Sequence, residues 1–104
     1  MIPDESQYQF ILYQAMVEVL APYQPYLLLC VSTEELVHWL IRGLWDLDWF
    51  SRIARYGLQG ELSDQLVQIV ATKLHRNIKV GEHYLDPVPL GQQILFRFSE
   101  LIKE

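Results

Sequence analysis

The sequence predicts an all-α fold, a single compact bundle of five or six helices spanning residues 1–104. Three observations carry that expectation. Apolar residues recur at helical spacing in several long stretches. A well-formed helix start stands at Ser32–Glu35, ahead of the most apolar of them. The length of 104 residues suffices for one hydrophobic core and is too short for two.

The first helix is expected from about Glu5 to Ala21. Pro3, Asp4 and Ser6 supply its start. Tyr8, Ile11, Leu12, Ala15, Met16, Val19 and Leu20 line one face, and Phe10, Tyr13 and Val17 widen it. Its aromatics read as core packing rather than as a ligand-stacking surface. Pro22 and Pro25 end the helix, because each removes an amide donor and restricts the residue before it. The short apolar run Tyr26–Val31 fits either a buried helical turn or a strand, and its neighbours favour helix.

Ser32 and Glu35 have the spacing of a capping box, in which hydroxyl and carboxylate each satisfy a free amide of the first turn. Glu34 and Glu35 also suit the positive end of the helix dipole. From here to Phe50, Leu36, Val37, Leu40, Ile41, Leu44 and Leu47 fill a broad apolar face opposite a narrow stripe of Glu35, His38, Arg42 and Asp46. Glu34 with His38 and Arg42 with Asp46 are spaced to pair. The pattern is expected to reset near Asp46–Asp48, giving a short helix through Trp49, Phe50, Ile53 and Ala54 that Gly57 stops. A longer amphipathic helix is expected over 61–80, with Leu62, Leu66, Ile69, Val70, Leu74 and Ile78 inward and Gly81 closing it. The segment 82–89 reads as a rigid connector containing an Asp86-Pro87 cap or turn. The last helix, about 90–103, places Leu90, Ile94, Leu95, Phe98, Leu101 and Ile102 inside.

Composition narrows the function classes. The hydrophobic fraction is 51% and the charged fraction 20%, which excludes a disordered chain and leaves apolar surface for a partner. The net charge of −5 lies entirely in residues 1–41, which hold Asp4, Glu5, Glu18, Glu34 and Glu35 and no Lys or Arg. That balance disfavours nucleic acid as a partner. The single cysteine, Cys30, has apolar flanks and is expected to be buried and inert. The first residues lack a basic n-region and no long apolar run exists, so a cytoplasmic chain without a transmembrane segment is expected.

Assembled chemistry is not expected. The sequence holds no phosphate loop, dinucleotide turn or metal-binding His pair on one helix, and its serines lack a nucleophile context. Neither a metal nor a cofactor is called for. Glu82, His83 and Asp86 offer metal-type ligands without a fourth partner. His38 reads as satisfied by Glu34 or Glu35 rather than as the centre of a small enzyme or ligand site. Asp46 and Asp48 point to different sides of a helix and make no acid–base pair.

The expected function is therefore non-catalytic: a small helical adaptor, regulatory or accessory subunit acting through a protein partner or as a homo-oligomer. Tryptophan and arginine are common interface anchors, which makes Trp45, Trp49, Arg52 and Arg55 the interface candidates. An alternative comes from residues 61–91. A helix with a basic end, a connector through Tyr84-Leu85-Asp86-Pro87 and Leu90-Gly91 at the start of the last helix follow one another there. This order resembles the wing-to-helix junction of winged-helix transcription regulators, where a Leu-x-Pro-x-Gly-like run leads into the last helix. The resemblance implies a mostly helical, winged-helix-like α+β domain with Lys73, Arg76 and Lys79 on phosphates. The chain departs from that pattern in the extra Leu90 and in lacking alternating hairpin strands.

Overall fold

The first helix begins with a reciprocal cap. Asp4 accepts a hydrogen bond from the Gln7 amide and the Gln7 side chain accepts one from the Asp4 amide, both at 2.9 Å. In this computed structural model, which describes residues 3–103, α1 then runs Glu5–Leu20. A 3-10 turn over Ala21–Tyr26 follows, where Pro22 and Pro25 forbid regular helix. The remaining elements are α2 (Thr33–Asp46), α3 (Trp49–Tyr56), α4 (Gly60–Leu74), β1 (Lys79–Val80), β2 (His83–Tyr84) and α5 (Val88–Lys103). The fold is all-α, a helical bundle carrying one small antiparallel hairpin.

The start of α2 is where the sequence places it, with a changed bond. Ser32 Oγ accepts from the Glu35 amide at 3.2 Å, and the Glu35 carboxylate accepts from the Ser32 hydroxyl at 3.3 Å. Gln24 adds a second clamp by accepting from both the amide and the hydroxyl of Thr33. The reset after α2 is also observed. Asp48 adopts a left-handed conformation at φ 57°, α3 follows at once, and Gly57 ends it at φ 77°.

The core is contiguous. Trp49, Phe50 and Phe98 are its largest fully buried side chains, and leucines from α1, α2 and α4 surround them. Trp49 meets Phe50 edge-on at 5.3 Å and Phe98 at 5.9 Å, which joins α3 to α5. Tyr8 of α1 meets Phe98 at 6.2 Å. α1 packs on α2, α3 and α5, while α4 packs on α2, α3 and α5. The molecule measures 45 × 22 × 21 Å along its principal axes.

Several expectations are corrected. The helix expected over 61–80 ends at Leu74. The Asn77 side chain donates to the Lys73 carbonyl at 2.7 Å, and Arg76 takes φ 57°, so the chain turns out of the helix. Lys79, Val80, His83 and Tyr84 then pair as a hairpin, Lys79 with Tyr84 and Val80 with His83, around Gly81-Glu82. Gly81, at φ 64°, serves that two-residue turn instead of closing a helix. Residues 82–89 are thus partly strand, not only connector, and α5 starts at Val88 with Asp86 accepting from its amide at 3.1 Å.

Tyr26 closes the 3-10 turn, and the rest of the run Tyr26–Val31 is neither helix nor a full strand. Leu27 alone is buried and forms a single antiparallel bridge with Ile78, while the Leu28 amide donates to the Asn77 carbonyl at 2.8 Å. Cys30 is exposed, at φ 53°, instead of buried. Leu47 lies beyond the end of α2 and is exposed, so it leaves the apolar face assigned to it.

Candidate protein-interaction surface

The four interface candidates do not form one patch. Trp45 lies in the last turn of α2 on the surface, 42% exposed, and its indole donates to the Gln9 side chain at 2.9 Å. Trp49 is fully buried, and its indole donates to the Leu62 carbonyl at 2.8 Å. It is withdrawn from any partner. Four residues apart on one helix, the two rings would share a face. The left-handed Asp48 breaks the helix between them and turns Trp49 inward. Arg52 is held by Gln65 and Glu61, both at 3.0 Å, and ties α3 to α4. Arg55 is exposed, with its guanidinium 5.9 Å from the Tyr56 ring centre.

The phosphate-contact candidates are divided as well. The Lys73 ammonium donates to the Trp39 carbonyl at 3.2 Å and sits 4.5 Å over the Trp39 ring, with its stem across Gly43. It ties α2 to α4 and does not point outward with the others. Arg76 and Lys79 lie 5.8 and 5.5 Å from the ring centre of Tyr84 on the hairpin. Exposed Glu82 and Asp86 stand in the same segment, and α4 exposes Glu61 and Asp64. The hairpin supplies the strands that the sequence does not display, and Glu82 and Asp86 share its segment with Arg76 and Lys79 without an ion pair among the described residues.

His38 is exposed and lies 5.2 Å from Tyr13, ring centre to ring centre, instead of bonding Glu34 or Glu35. The ion pairs among the described residues are Arg52–Glu61, Arg97–Glu18 and Arg97–Glu100. Glu82, His83 and Asp86 do not form a metal-type cluster, and the described residues hold no group of three or more such side chains. No helix among the described residues is long and apolar enough to cross a membrane.

A different surface stands out. Phe10, assigned to the core by its spacing, is 70% exposed. It rises between two grooves. One, of about 370 Å³, is lined by Pro3, Ser6, Gln7 and Ile11; the other, of about 460 Å³, by Ser6, Gln9, Tyr13 and His38. Gln9, in the second groove, accepts from Trp45, so α2 braces this side of α1. Beyond α1, Tyr26, Leu28 and Leu29 are also exposed.

From Ser6 to Thr33 the only charged residue is Glu18. Arg97 Nε donates to it at 2.6 Å, and that bond, more than any other influence, holds the Glu18 carboxyl below its ordinary pKa. Charge depletion with exposed aromatics is the compositional mark of an interface centre. Sequence spacing hid this surface, because Phe10 and Tyr26–Leu29 look like core. Compared with protein-family models, curated proteins and solved structures, the chain matches none.

Proposed function

We propose that the protein is a non-catalytic interaction module, an adaptor or accessory subunit that binds through its N-terminal third. One observation carries this reading: the single, ion-paired charge between Ser6 and Thr33, a segment that exposes Phe10, Tyr26, Leu28 and Leu29. Exposed apolar side chains scattered singly are ordinary; a long stretch with one paired charge that displays several of them is not. Trp45 belongs at the margin of this surface, while Arg52 and Trp49 serve the fold.

Photo-crosslinking tests the reading. A photoreactive residue is placed at Phe10, Tyr26 or Leu28 in the full chain, with Tyr84 on the hairpin as the comparison. Irradiation in the native cell is expected to give discrete protein adducts from the first three positions. Adducts to nucleic acid at position 84, with none to protein elsewhere, would move the function to Arg76 and Lys79. No adduct from any of the three N-terminal positions would end the proposal.

A further inference from the structure

We infer that the hollow between the end of α4, the hairpin and the start of α5 binds a nucleoside monophosphate, with Arg76 on its phosphate and Tyr84 against its base. This site is separate from the N-terminal surface and does not depend on the interaction-module reading.

Arg76 stands where the backbone favours glycine. The Asn77 amide donates to the Leu74 carbonyl at 3.0 Å. Between them His75, at φ −55° and ψ 121°, and Arg76, at φ 57°, take the central positions of a type II turn. The second of these needs a positive φ, which glycine adopts without the steric cost that arginine meets. Non-glycine residues held in this conformation cluster at ligand sites. What the turn presents is a guanidinium 5.8 Å from the ring centre of half-exposed Tyr84. An exposed cation–π contact contributes less than the left-handed conformation costs, so the fold alone does not account for this arginine.

Charge converges at the same point. Residues 65–81 contain Lys73, Arg76 and Lys79 and no acid. Lys73 is turned to Trp39, which leaves Arg76 and Lys79. Lys79 pairs with Tyr84 across the hairpin and lies 5.5 Å from its ring centre. Among the described residues neither cation forms an ion pair with a carboxylate.

The hollow has a volume of about 390 Å³ and is lined by His75, Arg76, Tyr84, Leu85, Asp86 and Pro87. That volume is within the range of small-ligand sites. Its walls differ in chemistry. Arg76 offers a fork of N–H donors suited to phosphate oxygens. Tyr84, Leu85 and Pro87 offer apolar surface to a flat ring. One Asp86 oxygen accepts from the Val88 amide at 3.1 Å, and the other has no hydrogen bond among the described residues. A carboxylate opposes a bare anion and accepts from hydroxyl groups, so the ligand needs sugar hydroxyls beside its phosphate. Phosphate, ribose and base supply the three complementary groups. Glu82 lies on the hairpin turn and does not line the hollow.

Nuclear magnetic resonance titration of the isotope-labelled full chain with adenosine monophosphate at low salt tests this. Shifts are expected at residues 75–76 and 84–87, with a Kd on the order of 1 mM or below. Adenosine and inorganic phosphate should each bind at least about tenfold more weakly. Arg76→Gly should weaken nucleotide binding about tenfold or more, while its melting temperature equals or exceeds that of wild type. Arg55→Ala, which removes an arginine 5.9 Å from another exposed tyrosine, should leave binding unchanged. No shifts at these residues up to about 10 mM nucleotide would overturn the inference. Inorganic phosphate binding as tightly as the nucleotide would overturn it too, by reducing the site to an anion contact. So would a single-stranded oligonucleotide binding far more tightly than the monophosphate, which would make the hairpin a nucleic-acid contact. An Arg76→Gly variant that binds normally, or melts below wild type, would assign the arginine to the fold instead.

Discussion

Trp49 is the side chain at which α3, α4 and α5 meet. It sits on α3, donates to the Leu62 carbonyl of α4 and packs on Phe98 of α5. Trp49→Phe keeps an aromatic ring but loses the donor and part of the volume, at an expected cost of about 1–3 kcal/mol. Trp45→Phe, whose indole bond to Gln9 lies on the surface, should cost within about 1 kcal/mol. Urea unfolding of both variants checks this, and equal losses would contradict the assignment of one ring to core and one to surface. The sequence made the two tryptophans look equivalent because four residues is one helical turn. What separated them is the positive φ of Asp48, a residue type that enters the left-handed region more readily than most. Residue identity foretold the break near Asp46–Asp48; it did not foretell which way the chain would leave it.

Among the elements, helices closed by strong local signals were legible and the segment governed by tertiary pairing was not. Pro3-Asp4 opening α1, Ser32 opening α2 and Gly57 ending α3 act within a few residues, so their positions follow from sequence. Residues 75–80 continue the 3.6-residue period as far as buried Ile78, yet they leave the helix. Ile78 instead bridges Leu27, which is far away in sequence, and Gly81-Glu82 provides a two-residue hairpin turn. Periodicity alone cannot see a distant strand partner. Helix–helix spacing gives the element-scale prediction. A Cβ at Gly91 would lie 3.2 Å from both the Cα and the carbonyl oxygen of Val67, backbone atoms that cannot yield without separating α4 from α5. A Cβ at Gly43 would lie 2.7 Å from Lys73 Cε, the far end of a flexible side chain. Gly91→Ala should therefore destabilise by about 1–3 kcal/mol. Gly43→Ala should stay within about 1 kcal/mol of wild type, because gained helix propensity offsets the displaced Lys73 bond to Trp39. Matched denaturation curves decide the point, and a Gly43→Ala loss as large as that of Gly91→Ala would refute it.

Across the whole molecule, charge is divided along the chain. Residues 1–41 hold no Lys or Arg, and Glu18 of α1 takes its counterion from Arg97 of α5, near the other end of the sequence. Arg97 also reaches Glu100 at 3.7 Å, which holds its side chain on the α5 surface. Glu18 is depressed below the ordinary 4.5 chiefly by the hydrogen bond from Arg97, with the nearby positive charge and Gln14 adding to it and partial desolvation opposing. A carboxyl whose folded pKa is depressed contributes stability above its unfolded pKa and loses that contribution as pH falls through the folded value. The pair should therefore stabilise the fold in full above about pH 4.5 and progressively less below it. Glu18→Gln should melt slightly below wild type at neutral pH, by the small amount typical of a surface pair, and more nearly like it at high salt. Thermal melts of both proteins from neutral pH downward should converge once the acid limb is entered. A gap that stays constant or widens below pH 4.5 would show that Glu18 holds α1 by something other than its charge.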